Sequence, residues 1–195
     1  MSEIVQVKQQ PMELTQQGFM PKTSADVFRL GKLLMDSGMK PSGWPNTLEG
    51  VCIGIMAGAE AGLNFTQTIK GIMVVNNKPT IWGDVALALC RRSTVCESIE
   101  EWIDDEGRAN CRAIRKGEAR PVVRTFSIDD AKAAGLWGKA GPWKNYPQRM
   151  LQMRARAFAI RDAFPDCLNG LDITEEVMDY GPVVSAEKST AQSKI

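Results

Sequence analysis

Four arginines between positions 147 and 164 recur at a seven-residue spacing, Arg149 with Arg156 and Arg154 with Arg161. On a helix at about 100° per residue, seven steps return a side chain to nearly the same direction, so each pair forms a row. Met150, Met153, Ala157, Ile160 and Phe164 make one apolar stripe, and Leu151 with Phe158 makes a second. Arg154 and Arg161 project between these stripes, whereas Arg149 and Arg156 lie on the far side of the first. A guanidinium is a planar fork of donors matched to phosphate oxygens, so rows of them suit a phosphodiester backbone. The competing reading is that they run past the edge of a core and pair with acids such as Asp162, Asp166 or Asp172. The preceding loop, WGKAGPWKNYP, adds the rings of Trp137, Trp143 and Tyr146, which can stack on bases, together with Lys139 and Lys144. Trp143, held in a Gly-Pro turn, is equally suited to packing against the arginine helix. Lys70 and Lys78, Arg91 and Arg92, and Arg112 and Arg115 are secondary candidates for phosphate contacts.

Composition narrows the chemistry further. The 195 residues contain no His, which excludes a Ser-His-Asp or Cys-His nucleophile pair, an H-E-x-x-H zinc site and imidazole proton transfer. The five Cys form no C-x-x-C pair, which points to buried reduced thiols rather than to a disulfide frame or a zinc site. Lys+Arg 24 against Asp+Glu 23 looks neutral but hides segregation. Residues 106–161 carry 13 basic and 4 acidic side chains, net +9; residues 1–105 carry 9 and 12, net −3; residues 162–195 carry 2 and 7, net −5. So basic a stretch in a neutral chain is expected to meet a polyanion, most often nucleic acid. No run of eighteen apolar residues and no apolar signal core are present, so no membrane contact and a cytoplasmic location are expected.

The elements that must position these residues can be read from caps and periods. Residues 1–22 and 181–195 are expected to be a mobile arm and a mobile tail around one domain over 23–180. Thr23 or Ser24 caps a helix through Ser37, closed by Gly38. Asn46 with Glu49 makes a capping box for the small-residue helix GVCIGIMAGAEAGL, which admits another backbone closely. Residues 69–82 read as a hairpin turning at Asn76-Asn77, with Trp82 in its core, and Asp84 opens a helix that ends on Arg91 and Arg92. Residues 97–126 read as three antiparallel strands, Ser127 and Asp130 cap a short helix, and Pro147 starts the arginine helix, which runs to about Phe164. The fold class expected is α+β: a small antiparallel sheet and a β-hairpin packed with helices, with the long basic helix near the C-terminus.

Two segments are similar to a known family. GLWGKAGPWKNYPQRMLQMRARAFAIRDAFPD resembles the GPW…P..ML..KA…AR.AFP segment of the RecT and Redβ phage single-strand annealing proteins. EAGLNFTQTIKGIMVVNNKPTIWGDVALAL is similar to the RecT-like segment that begins with a G-L-x-P-type turn, and together the likeness spans much of residues 45–180. The resemblance implies ATP-independent binding of single-stranded DNA and annealing of complementary strands in homologous recombination, inside a bacterial host cell. It also implies assembly into rings or helical filaments on the annealed duplex, with a basic groove running from subunit to subunit, and neither bond cleavage nor a cofactor. The basic groove positions of the family carry over to Arg149, Arg154 and Arg161. Gln148 and Gln152 depart from positions that are basic in some relatives. The chain also runs only a short way past Tyr180, where longer relatives carry a module for partner proteins, so contact with a phage exonuclease or a host single-strand-binding protein is left open.

Two other classes stand beside this one. A magnesium-dependent nuclease would need carboxylates drawn from Glu60, Asp84, Glu101, Asp104 and Asp105, but none shows a defensible metal spacing. A protein-binding module without nucleic acid would use the small-residue helix and the apolar stripes, surfaces that equally suit contacts between subunits.

Overall fold

Thr23 accepts the Asp26 N–H at 3.2 Å while the Asp26 carboxylate accepts the Thr23 N–H at 3.1 Å, and this reciprocal cap starts helix α1 (Ser24–Ser37). The computed structural model describes residues 18–179 from this point outward; residues 1–17 of the expected arm and the tail 181–195 lie outside the described residues. Within the arm, the Phe19 carbonyl accepts the Phe65 N–H at 2.8 Å, which runs residues 18–20 against the start of the third helix.

Helix α2 (Leu48–Glu60) is capped by Thr47, one residue beyond the expected Asn46, and Thr47 accepts the Gly50 N–H at 3.2 Å. Its glycines serve close approach. A Cβ on Gly54 would stand 2.8 Å from the Trp44 ring, and one on Gly58 would stand 2.3 Å from Thr68 of helix α3 (Phe65–Gly71). Helix α3 takes residues 69–71, which the hairpin expected over 69–82 placed in its first strand. The reason is local: Asn64 and Gln67 cap each other reciprocally, and the helix they start seats Thr68 against α2. Strands β1 (Ile72–Val75) and β2 (Lys78–Ile81) then form the expected hairpin, with Asn76 and Asn77 at φ 52° and 60° in its two-residue turn. Trp82 precedes helix α4 (Gly83–Arg92), with Asp84 in its first turn and Arg91 and Arg92 in its last.

Strands β3 (Cys96–Ile103), β4 (Ala109–Arg115) and β5 (Val122–Phe126) pair antiparallel in that order, as expected. Ser127 and Asp130 cap helix α5 (Ile128–Ala133), again as expected. Helix α6 (Pro142–Asn145) and helix α7 (Pro147–Ala163) follow, then strand β6 (Asp172–Ile173) and helix α8 (Thr174–Asp179). Strand β6 joins β2 in parallel and makes a second three-stranded sheet, β1-β2-β6. Two residues are too few to show a period, so sequence alone left this strand unseen. The architecture is mixed α+β with two small sheets.

Alternation puts Ile99, Cys111, Ala113 and Phe126 on one face of the β3-β4-β5 sheet, and α7 packs across it. The other sides of α7 meet α4, α6 and α8. Ten of its 17 residues are buried, Arg154 and Arg156 among them. Helix α7 is therefore central, not a two-striped helix with a wet basic side. Ala155, Ala159 and Ala163 explain the difference, because small side chains let neighbours approach on faces that the stripes leave open.

The β3–β4 turn carries a pH signature. Desolvation pushes the Asp104 carboxyl up, but hydrogen bonds from the Arg108 side chain and backbone and from Asn110 outweigh it and bring it down to about 2. A carboxyl lowered on folding adds stability above its unfolded value, near 3.9, and that stability is lost as pH falls toward 2. Asp104→Asn is expected to flatten the acid limb of the stability profile between about pH 4 and pH 2. Urea midpoints at each pH check this, and an unchanged slope would remove Asp104 from the acid response.

Candidate nucleic-acid interface

The loop before α7 turns at Gly141, whose φ of 97° a side chain would resist, and Pro142 then opens α6. This brings Trp143 inward. It is 2% exposed, lies beside Phe126 with ring centroids 6.4 Å apart, and donates its indole N–H to Asp179 at 2.9 Å. Of the two uses open to Trp143, packing is the one realised in this conformation. Tyr146 joins α6 to α7 and is 69% exposed. Lys144 and Trp137 are also exposed, and the Lys139 ammonium donates to the Asp179 carbonyl at 3.5 Å. Helix α7 opens on Pro147 with no side-chain cap and no acid in its first turn, and Arg149 stands there, 47% exposed, donating to Asp84 at 2.9 Å. Trp137, Lys139, Lys144, Tyr146 and Arg149 thus lie at the surface within thirteen consecutive positions.

The two arginine rows meet acids. Arg156 donates from Nε and Nη2 to the two oxygens of Glu101 at 2.7 and 3.0 Å, and from Nη1 to Asp84. One buried guanidinium therefore ties α7 to β3 and α4. Burial pushes the Asp84 carboxyl up, but the hydrogen bonds and charge of Arg156, followed by those of Arg149, more than offset this and leave it below its ordinary value. Arg154, 4% exposed, lies over the rings of Phe126 and Phe158 at 5.7 and 5.6 Å. It faces Glu176 at 3.6 Å and Asp179 at 3.8 Å. Arg161, 44% exposed, donates to Glu176 at 2.8 Å. The expected solvent-facing rail is thus a chain of ion pairs along α7, with Arg154 and Arg156 buried and Arg149 and Arg161 paired at the surface.

The partners are not the acids that sequence suggested. Asp162 holds Arg124 at 2.6 Å and Asp166 holds Arg115 at 2.6 Å. Glu176 and Asp179 escaped sequence reasoning because they follow α7 through a turn and a two-residue strand, and no helical spacing links them to Arg154. The acidic balance of residues 162–195 opposite a basic block was the one signal that could have pointed to them.

The secondary candidates are dispersed. Arg115 lies on the α7 side of β4, Arg112 lies on the opposite face beside Glu100 at 3.7 Å, and the two are three residues apart on a strand. Arg91 and Arg92 donate to the carbonyls of Ile99 at 3.0 Å and Gly62 at 2.6 Å. Lys70 and Lys78 are exposed on α3 and at the tip of the β1–β2 hairpin.

Of the carboxylates weighed as metal ligands, Asp84 and Glu101 do converge, but on the Arg156 guanidinium, and Asp104 is occupied by Arg108 and Asn110. Among the described residues no group of three or more Cys, Asp or Glu side chains is placed to hold a metal ion, and no helix is long and apolar enough to cross a membrane. The five cysteines are free thiols, and burial pushes Cys90 and Cys111 up to about 12. Neither a scan against protein-family models nor a search of the curated proteins finds a match to this chain.

Proposed function

We propose that the protein binds single-stranded DNA and anneals complementary strands without nucleotide hydrolysis, as an oligomer whose basic groove holds backbones and leaves bases free to pair. One observation carries the reading: Trp137, Lys139, Lys144, Tyr146 and Arg149 are all exposed within the thirteen residues that lead into the first turn of α7, inside the segment that resembles RecT and Redβ. Cations that meet phosphates beside rings that meet bases are the two components of sequence-independent single-strand binding. Neither component requires a cofactor or a bond-breaking step. Pairing supplies its own driving force, about 1.4 kcal/mol per base-pair step, so the protein has only to lower the barrier. Basic side chains do this by cancelling repulsion between two approaching backbones and by releasing counterions.

Purified protein, given first one oligonucleotide and then its complement without ATP or magnesium, is expected to speed annealing over the protein-free rate, and high salt is expected to abolish the effect. The readout is fluorescence quenching between labelled strands. No acceleration, together with no single-strand binding at low salt, would overturn the proposal and leave a protein-binding module as the next reading. The exposed apolar side chains Phe28, Leu33, Ile53 and Met56 on α1 and α2 favour that second reading, and they equally suit a contact between copies of the chain.

A further inference from the structure

Helix α8 is held to the body of the protein by charge and hydrogen bonds rather than by apolar packing. None of its six side chains belongs to the apolar core: Val177 is half-buried and Met178 is exposed. Six residues are also far fewer than the roughly 12–15 that a helix needs to persist alone. What fixes it is a set of polar contacts. The Glu175 carboxylate accepts the Gly83 N–H at 3.0 and 3.1 Å, Glu176 accepts from Arg161, and Asp179 accepts from Trp143. Its first residue, Thr174, shares a hydrogen bond of 2.8 Å with Thr80, just after β6 joins the sheet. The segment is thus anchored at one end and held by charge over the rest.

The charged contacts converge on the α7 face that the basic rows were expected to offer. Glu176 and Asp179 stand one helical turn apart and together engage buried Arg154 and Trp143 and half-exposed Arg161. Their fit is incomplete: Glu176 Oε1 and Asp179 Oδ2 are buried and accept no hydrogen bond, meeting Arg154 only at 3.6 and 3.8 Å. Buried carboxylate oxygens left short of donors mark a contact that a better acceptor can replace.

We propose that α8 is an acidic strap that occupies, in the free protein, a phosphate-binding face made by Arg154 and Arg161 of α7 beside Trp143 of α6, and that a nucleic-acid backbone displaces it by pivoting about Thr174. The proposal rests on the reading of the chain as a single-strand binder. In the closed form the strand meets the exposed set from Trp137 to Arg149 and finds Arg161 engaged by Glu176; displacement releases Arg161 and uncovers Arg154 and Trp143.

The test uses the full chain and fluorescent oligothymidine as the probe. The variant E176Q/D179N keeps shape and removes the two charges. If the strap is open in about one molecule in ten, releasing it tightens apparent affinity by up to about tenfold, the ceiling being reached when the closed form binds weakly. Adding Arg161→Ala to the released variant is expected to cancel most of that gain. Equal affinity of wild type and a variant that melts cooperatively would overturn the strap and leave DNA binding standing; no binding by either protein would overturn both. Should the variant fail to fold, amide hydrogen exchange on the wild-type chain decides. Oligothymidine is expected to speed exchange over 174–179, and unchanged or slower exchange there would overturn the strap.

Discussion

Arg156→Ala is expected to lower the stability of the folded protein by about 3 kcal/mol, the low end of the range for breaking a buried ion pair. The guanidinium is buried and joins α7 to Glu101 on β3 by two parallel hydrogen bonds and to Asp84 on α4 by a third. Its removal strands Glu101, whose side chain is 17% exposed, while Asp84 at 68% exposure is readily rehydrated, which is why the low end applies. The double variant R156M/E101L is expected to recover most of the loss, because the cost lies in the unpaired charge and not in the absence of the pair. Urea unfolding of the wild type and both variants checks this. A single variant within about 0.5 kcal/mol of wild type, the range of ordinary surface changes, would show that Arg156 does not hold the three elements together.

The second large effect concerns binding. Changing Lys139, Lys144 and Arg149 to Gln is expected to reduce the slope of log affinity against log salt by about 2, at about 0.7 for each phosphate contact on a single strand. Tyr146→Ala is expected to cost about 1–3 kcal/mol of affinity with little change of slope, since stacking is not ionic. All four side chains are exposed, so the melting temperature is expected to stay near wild type. Titrations with labelled oligothymidine at several salt concentrations separate the two contributions. An unchanged slope in the triple variant would remove this surface from the binding reading.

Together these expectations divide the arginine helix by what each residue does. Arg156 is expected to act on stability and Arg149 on binding, while Arg154 and Arg161 meet the acidic segment whose proposed release would join the two. A plain alanine scan of the helix would mix these effects, so melting data are needed beside every affinity.

Much of the secondary structure was legible because its causes are local. Thr23 with Asp26, Ser127 with Asp130, the Asn76-Asn77 turn and Pro147 each act within four residues, and all produce the expected element. The misses were also local in origin. Helix α3 wins residues 69–71 through its own reciprocal cap, and β6 is too short to carry a period. The absence of His and the basic block of residues 106–161 likewise follow from composition, and with them the classes of chemistry excluded and the expectation of a polyanion.

What each charged side chain does was decided only by the tertiary structure. The seven-residue spacing correctly groups Arg149 with Arg156 and Arg154 with Arg161, but spacing says nothing of what lies across from a helix. The alanines of α7 draw neighbours onto its polar side, β6 and α8 return from sequence-distant positions, and the same four arginines become partners of Asp84, Glu101, Glu176 and Asp179, two of them buried and two at the surface. A charge in water and a charge in an ion pair have the same one-letter code. Burial separates them, and burial is a property of the packed chain.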